Sequence, residues 1–305
     1  MDPILSANAL AWRLGIPAAR LRSIADRTDS HYRAIPLPQG DKVRQLRVPN
    51  PELMDIQRRI VRYVLEPIGL RSEVHGGVRG RSARTNATVH LGKPCVVGLD
   101  VKSFFDTVRH YMVYRMFRHE LGFGRDVAHL LTRLTTLRSR LPQGAPTSTA
   151  VANLLLASPV DGPLVEQAER AGIQYTRFVD DITLSGLNPR PLMNVVARLL
   201  SGRRLRMHRR RTAKGKSRPK LRIMGRSEAQ EVTGLVVNSR SGPSVSHGRR
   251  DAVRAAIFHL RGMPAPSLDA EVQSIKGRIA HVRQFNPGEA KRLKGYLAMV
   301  LEDIR

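Results

Sequence analysis

The chain has 305 residues, 41% of them hydrophobic, which is enough for a large core split over two or three lobes and excludes bulk disorder. Its net charge is +27, from 52 Lys and Arg against 25 Asp and Glu; such a surface repels itself unless a polyanion covers it, which favours nucleic acid over an acidic membrane. No apolar run reaches the roughly 20 residues of a spanning helix, Met1-Asp2-Pro3 lacks the order of a signal peptide, and the single Cys95 excludes an internal disulfide and fits a reducing, cytoplasmic compartment.

Residues 1–30 read as helical, with Leu10, Leu14, Leu21 and Ile24 on shared faces and Gly15-Ile16-Pro17 as a break. Residues 31–50 predict a hairpin turning at Pro38-Gln39-Gly40-Asp41. Pro49-Asn50-Pro51 opens a helix through about Leu65. Residues 75–85 read as a flexible basic loop. Cys95–Asp100 is an apolar strand ending in an acid. A helix carrying Met112, Met116 and Phe117 inward follows, then another over 126–138.

Leu141-Pro142-Gln143-Gly144-Ala145-Pro146 is a turn-rich entry to an apolar helix at 147–157, and 159–171 and 190–200 are further helices. Between them, Tyr175–Ser185 reads as a hairpin with Asp180 and Asp181 at its turn. Ser201–Arg226 holds nine Arg, three Lys and no acid, a block that is either disordered or a polyanion contact. Glu231–Val237 predicts one short strand. Helices follow from Ser246, from about Ser267 to Phe285, and from Asn286-Pro287-Gly288-Glu289, where Asn286 is the expected cap.

Two adjacent like charges on a rigid turn repel, and a divalent cation removes that conflict; hard carboxylate oxygens suit Mg²⁺. An adjacent acid pair alone is more often a polar turn. Asp100, closing an apolar strand 80 residues earlier, changes the balance: three carboxylates on neighbouring strands can grip two Mg²⁺ ions for nucleotidyl transfer. No Gly-rich phosphate loop of the P-loop type is present.

Asp100-Val101-Lys102-Ser103-Phe104-Phe105, Leu141–Ser148 and Phe178-Val179-Asp180-Asp181, in this order and spacing, resemble motifs A, B and C of reverse transcriptases. Ile35–Arg44 with Ile56–Ile60 resembles the fingers of the bacterial enzymes. Asn86-Ala87-Thr88-Val89-His90 and Val232-Thr233-Gly234 are similar to the NAxxH and VTG motifs of retron reverse transcriptases, and Ser274–Ile279 with Asn286-Pro287 resembles their thumb. The similarity covers about residues 31–300.

The resemblance implies an α+β right-hand polymerase: an N-terminal helical segment (1–30), fingers (31–98), a palm with an antiparallel sheet (99–238, with finger-side helices at 126–157 and a basic insertion at 202–219) and a helical, RNA-binding thumb (239–305). It makes Asp100, Asp180 and Asp181 the catalytic, metal-binding acids, with the Val101 carbonyl also facing one of two Mg²⁺ ions. Arg44 and Lys42 would grip the incoming dNTP, Phe105 would be the gate against ribonucleotides, and Gln143 and Gly144 would flank the nascent base pair. Lys220 would protonate departing pyrophosphate, with Lys214 and Lys216 as alternatives. Asn86, His90, Val232, Thr233 and Gly234 would approach RNA, as would Arg209, Arg210 and Arg211 in the insertion.

By the same resemblance the partners are a cognate structured noncoding RNA of msr-msd type, its DNA product, dNTPs, a separate effector protein in anti-phage defence, and host RNase H. The rival readings are another bacterial reverse transcriptase lineage and a non-catalytic RNA-binding scaffold; the three intact acids argue against the scaffold. The chain departs from the family pattern at Phe178-Val179, where Tyr-Ala is usual.

Overall fold

The computed structural model describes residues 2–39, 42–208 and 220–304, the side chains of Gln39, Lys42 and Ala265 excepted. Two short helices open the chain, α1 (Ala7–Leu14) and α2 (Ala18–Asp26). Ser6 Oγ accepts the Ala9 amide at the start of α1, and Gly15, at φ 63°, ends it. A hairpin follows, β1 (Tyr32–Gln39) with β2 (Lys42–Pro49), then α3 (Pro51–Ile60), capped by Asn50 on the Leu53 amide. The helix widens into a π-type turn over Val61–Leu65.

After α4 (Ala83–Thr88), strand β3 (Cys95–Asp100) enters the central sheet. Helices α5 (Phe104–Thr107), α6 (His110–Arg115), α7 (Arg125–Thr135), α8 (Ser148–Leu156) and α9 (Gly162–Arg170) separate it from β4 (Gln174–Phe178) and β5 (Asp181–Gly186). Then come α10 (Leu192–Gly202), β6 (Arg222–Gly225), β7 (Glu231–Val232), β8 (Leu235–Val236), β9 (Ser244–Val245), α11 (His247–His259), α12 (Ala265–Phe285) and α13 (Pro287–Ile304). The fold is thus mixed helix and antiparallel sheet, as expected from the sequence. The central sheet runs β4-β5-β3-β6, every pair antiparallel.

The period of two along β3 explains its continuous apolar reading. Val97 and Leu99 join a large core with Leu155, Ile182 and Leu184, whereas Val96 joins a second core with Ala87, Ile257, Ile275 and Leu293. Both faces of the sheet are covered by helices, so neither face needs polar residues. The second core fastens α11, α12 and α13 to the sheet. Among the described residues no helix is long and apolar enough to cross a membrane.

Four sequence expectations need correction. The segment 75–85 is not a loose loop. Arg177 N–H donates to Glu73 O at 2.9 Å and His75 N–H donates to Arg177 O at 2.8 Å, which lays the segment alongside β4. The Arg81 guanidinium adds bonds to the carbonyls of Leu70, Arg71 and Val74.

Residues 231–237 are a tight hairpin rather than one strand, because Thr233 (φ 46°) and Gly234 (φ 84°) reverse the chain. Asn286 sits where α13 begins, its carbonyl accepting the Ala290 amide, but its side chain accepts Val245 N–H at 2.8 Å and holds β9 instead. The helix expected over 126–138 stops at Thr135, ahead of a turn with Arg138 and Ser139 at positive φ.

Candidate active site

Antiparallel pairing sets Asp100, the last residue of β3, directly opposite Asp181, the first of β5. Asp180 lies in the turn before β5, and its carbonyl accepts the Val101 amide at 3.1 Å. The three acids therefore meet at one end of the central sheet because the strands carrying them end there. Asp100 and Asp180 line a cavity of about 1240 Å³ together with Val101, Arg44, Phe105 and Gln143. Asp181 faces a smaller groove of about 470 Å³ on the other side, which Asp100 shares.

The acids press on one another. Burial, then the charge of Asp100, raise the Asp180 pKa above the usual carboxylate value. Protein crowds Asp181 on one side although the other is open to solvent; this enclosure, then the charges of Asp180 and Asp100, push it up to about 6. Arg222 and Lys220 oppose that rise. Lys220 Nζ donates to Asp100 Oδ2 at 2.5 Å, and His208 Nε2 stands 3.6 Å from Asp100 Oδ1. Among the described residues no cluster of His, Cys, Asp and Glu closes into a ready metal cage. The donor set nonetheless fits a hard divalent cation: all three groups supply carboxylate oxygens, and their mutual repulsion falls when a cation joins them.

The other cavity residues come from elements docked onto this end. Arg44 lies on β2, which is tied to the loop before α8 by Arg47 N–H donating to Gln143 O at 2.7 Å. Gly144, at φ 110°, allows that approach: a Cβ there would lie 3.2 Å from Arg47 O. Phe104 is buried in the main core, while Phe105, edge-on to it at 5.6 Å, is half-buried and lines the cavity. The side chain of Lys42, and Arg209, Arg210 and Arg211 entirely, lie outside the described residues.

Asn86, His90 and Val232, which the sequence places near RNA, are all buried. His90 Nδ1 pairs with Ser185 Oγ at 2.6 Å and Nε2 with Thr176 Oγ1 at 2.7 Å, so it pins the segment after α4 to β4 and β5. Burial, then the neighbouring cations, lower its pKa to about 3, which keeps it neutral. Asn86 Nδ2 donates to Thr233 Oγ1 at 3.5 Å, and Thr233 Oγ1 donates to Ala83 O at 3.2 Å. The two motifs thus meet at the Asn86–Thr233 bond. Thr233 and Gly234 alone of this set line the groove that holds Asp181.

His208, Arg222 and Arg177 were missed from sequence. An Arg alternating inward with Tyr175 on an apolar strand was the available signal for Arg177.

This geometry agrees with similarity to known proteins. Residues 30–219 match the family described as reverse transcriptase (RNA-dependent DNA polymerase). The chain belongs to that family, the RNA-directed DNA polymerases. The chain is 31% identical to the Retron Mx162 reverse transcriptase of Myxococcus xanthus, over 97% of this chain and 67% of that protein. Against the Retron Mx65 reverse transcriptase of the same organism it is 33% identical, over 86% of this chain and 63% of that protein. Against the Retron Ec86 reverse transcriptase of Escherichia coli identity is 25%, over 93% of this chain and 85% of that protein. Within its family it is of the retron type. It spans about two thirds of the length of the two Myxococcus relatives.

Proposed function

We propose that this chain copies RNA into DNA at the site where Asp100, Asp180 and Asp181 converge. In this reading the β1–β2 hairpin and its surroundings (31–98) are fingers, the central sheet and its helices (99–238) are the palm, and α11, α12 and α13 (239–305) are the thumb. The observation that carries the reading is the register of Asp100 against Asp181, with Asp180 opening into a cavity shared with Arg44, Phe105 and Gln143.

Asp100, Asp180 and Asp181 are the residues that would hold two Mg²⁺ ions, with the Val101 carbonyl beside them. Bound there, the ions supply charge stabilisation for an attacking hydroxyl and for the leaving pyrophosphate. The chain's own residues do the rest. Arg44 holds the triphosphate from the fingers side, and Lys42 does so from the same hairpin. Phe105 stands where a ribose 2′-OH would clash, and Gln143 and Gly144 form the floor under the nascent base pair. Lys220, whose ammonium reaches this end of the sheet beside Asp100, gives its proton to the leaving group. The groove bordered by Thr233 and Gly234 takes nucleic acid close to Asp181.

By kinship with retron enzymes, the template is a structured noncoding RNA, priming uses one of its 2′-OH groups, and the product is single-stranded DNA joined to that RNA. A separate effector in phage defence and template removal by host RNase H belong to the same reading, as does a location in the cytoplasm. Purified protein with the RNA encoded beside its gene, dNTPs and Mg²⁺ should yield DNA that stays RNA-linked after denaturation. DNA made equally well on unrelated RNA with an annealed primer, and none linked to the neighbouring RNA, would overturn the retron part of the proposal.

A further inference from the structure

The turn that carries Asp180 and Asp181 is strained, and a buried network ends on it. Val179 has φ 60°, the left-handed region. A β-branched residue there is a genuine outlier, because its Cβ crowds the carbonyl oxygen. Such strain persists only where the surroundings over-determine the backbone.

Two sets of contacts do so. Arg177, fully buried, lies two residues before Val179 and uses all five of its donors. Nε and Nη2 grip the Asp161 carboxylate at 2.8 and 2.6 Å, a fully buried ion pair. Nη2 also donates to Asn153 O, at 3.2 Å. Nη1 donates to Asn153 Oδ1 at 2.9 Å and to the Val179 carbonyl at 2.8 Å. Tyr175 Oη donates to Asp161 Oδ1 at 2.5 Å, which locks the carboxylate.

The second contact is Gly76, whose backbone lies against the turn: a Cβ there would stand 2.6 Å from Val179 N. Asn153 Nδ2 donates to Gly76 O at 2.7 Å, so one side chain ties both contacts together.

A buried ion pair is weak evidence for stability, since apolar residues of the same volume often serve as well. This one ends on the carbonyl of the strained residue beside the acids, and on α8, which follows the Gln143-Gly144 loop. We propose that Arg177, Asp161 and Asn153 form a positioning device that holds Val179 in its left-handed conformation and so fixes Asp180 and Asp181 for cation binding. They are positioning residues, since none of them lines the cavity or the groove that the acids face. The inference rests on the proposed site.

The test compares Arg177→Lys with the unaltered chain. Lysine keeps a cation for Asp161 but lacks the planar fork that reaches Asp161, Asn153 and Val179 together. Three quantities are read: Mn²⁺ affinity by electron paramagnetic resonance, extension rate on a primed RNA homopolymer, and affinity for that primed template. Mn²⁺ affinity and rate should each fall by tenfold or more, with template affinity within twofold. Unchanged Mn²⁺ affinity in the folded variant overturns the proposal.

If Arg177→Lys does not fold, Asn153→Ala decides by the same readings. It spares the Arg177–Asp161 pair and should weaken Mn²⁺ binding about threefold; no weakening overturns the proposal. Asp180→Asn, run alongside, separates the two levels. If it leaves Mn²⁺ binding and rate intact, the site assignment itself fails. If it abolishes both while Arg177→Lys is silent, only the positioning role fails.

Discussion

The acid turn at 178–181 and the joint between α4 and the β7–β8 hairpin are both built from short motifs, and they use them in opposite ways. At the turn, Asp180 and Asp181 point into a cavity and a groove, and the structure leaves them crowded and under-neutralised. At the joint, Asn86, His90 and Val232 are buried, and the polar atoms of His90 are paired within the protein. The first region holds unspent electrostatic repulsion of the sort a ligand relieves. The second is a fastener that joins the α11–α13 side of the molecule to the central sheet. A motif match thus identifies positions under constraint without saying whether the constraint is contact or support.

The contrast can be broken by experiment. The largest expected effect on stability is at the fastener. His90→Ala strips partners from the buried Ser185 and Thr176 hydroxyls and should cost about 2–4 kcal/mol of stability. Denaturant melts would show this, while RNA affinity per folded molecule stays unchanged. If RNA affinity falls with stability intact, His90 is a contact and the contrast is wrong.

Phe105→Ala, on the cavity side, should do the reverse. Stability changes little beyond the loss of a half-buried ring, while discrimination against ribonucleotides falls by roughly tenfold or more, about 1.4 kcal/mol per decade. Competitive incorporation of a ribonucleotide against its deoxy counterpart measures it.

The pH dependence of stability comes next. Asp180 and Asp181 have raised pKa values in the folded chain, so between the ordinary carboxylate value and about 6 the native state binds more protons than the unfolded one. Their contribution to stability is therefore present at low pH and lost as pH rises through that window. Melting in chelator should show Asp180→Asn with Asp181→Asn gaining on the unaltered chain from about pH 4 to pH 6 and holding that gain above, an effect that Mg²⁺ reduces.

The smallest effect is at Gly234. An alanine there meets a positive φ of 84° and the Arg249 guanidinium at 2.8 Å, and should cost about 1 kcal/mol, since the flexible arginine can shift.

The acids were legible because each sits where an apolar strand ends, and strand ends are visible in a single sequence. Phe104 and Phe105 were separable only as a pair, and packing decided which ring is core. The hairpin at 231–236 was misread as one strand because a threonine, Thr233, takes positive φ; Gly234 was the sole turn signal. The segment 75–85 looked loose because its pairing partner, Arg177, lies about 100 residues away and the Arg81 bonds run to main-chain carbonyls, which carry no side-chain signal. The Arg177 network was hidden for the same reason, since Asp161 and Asn153 lie on other elements. Local pattern exposes strands and turns; buried polar partnerships are decided by tertiary packing.

The central claim is that Asp180 and Asp181 hold the cations used to add deoxynucleotides. Primer extension on an RNA template in Mg²⁺, comparing the unaltered chain with Asp180→Asn plus Asp181→Asn, tests it most directly. The account predicts a loss of about 10³-fold or more with template affinity and folding retained. Extension at an unchanged rate by the folded double variant would contradict it.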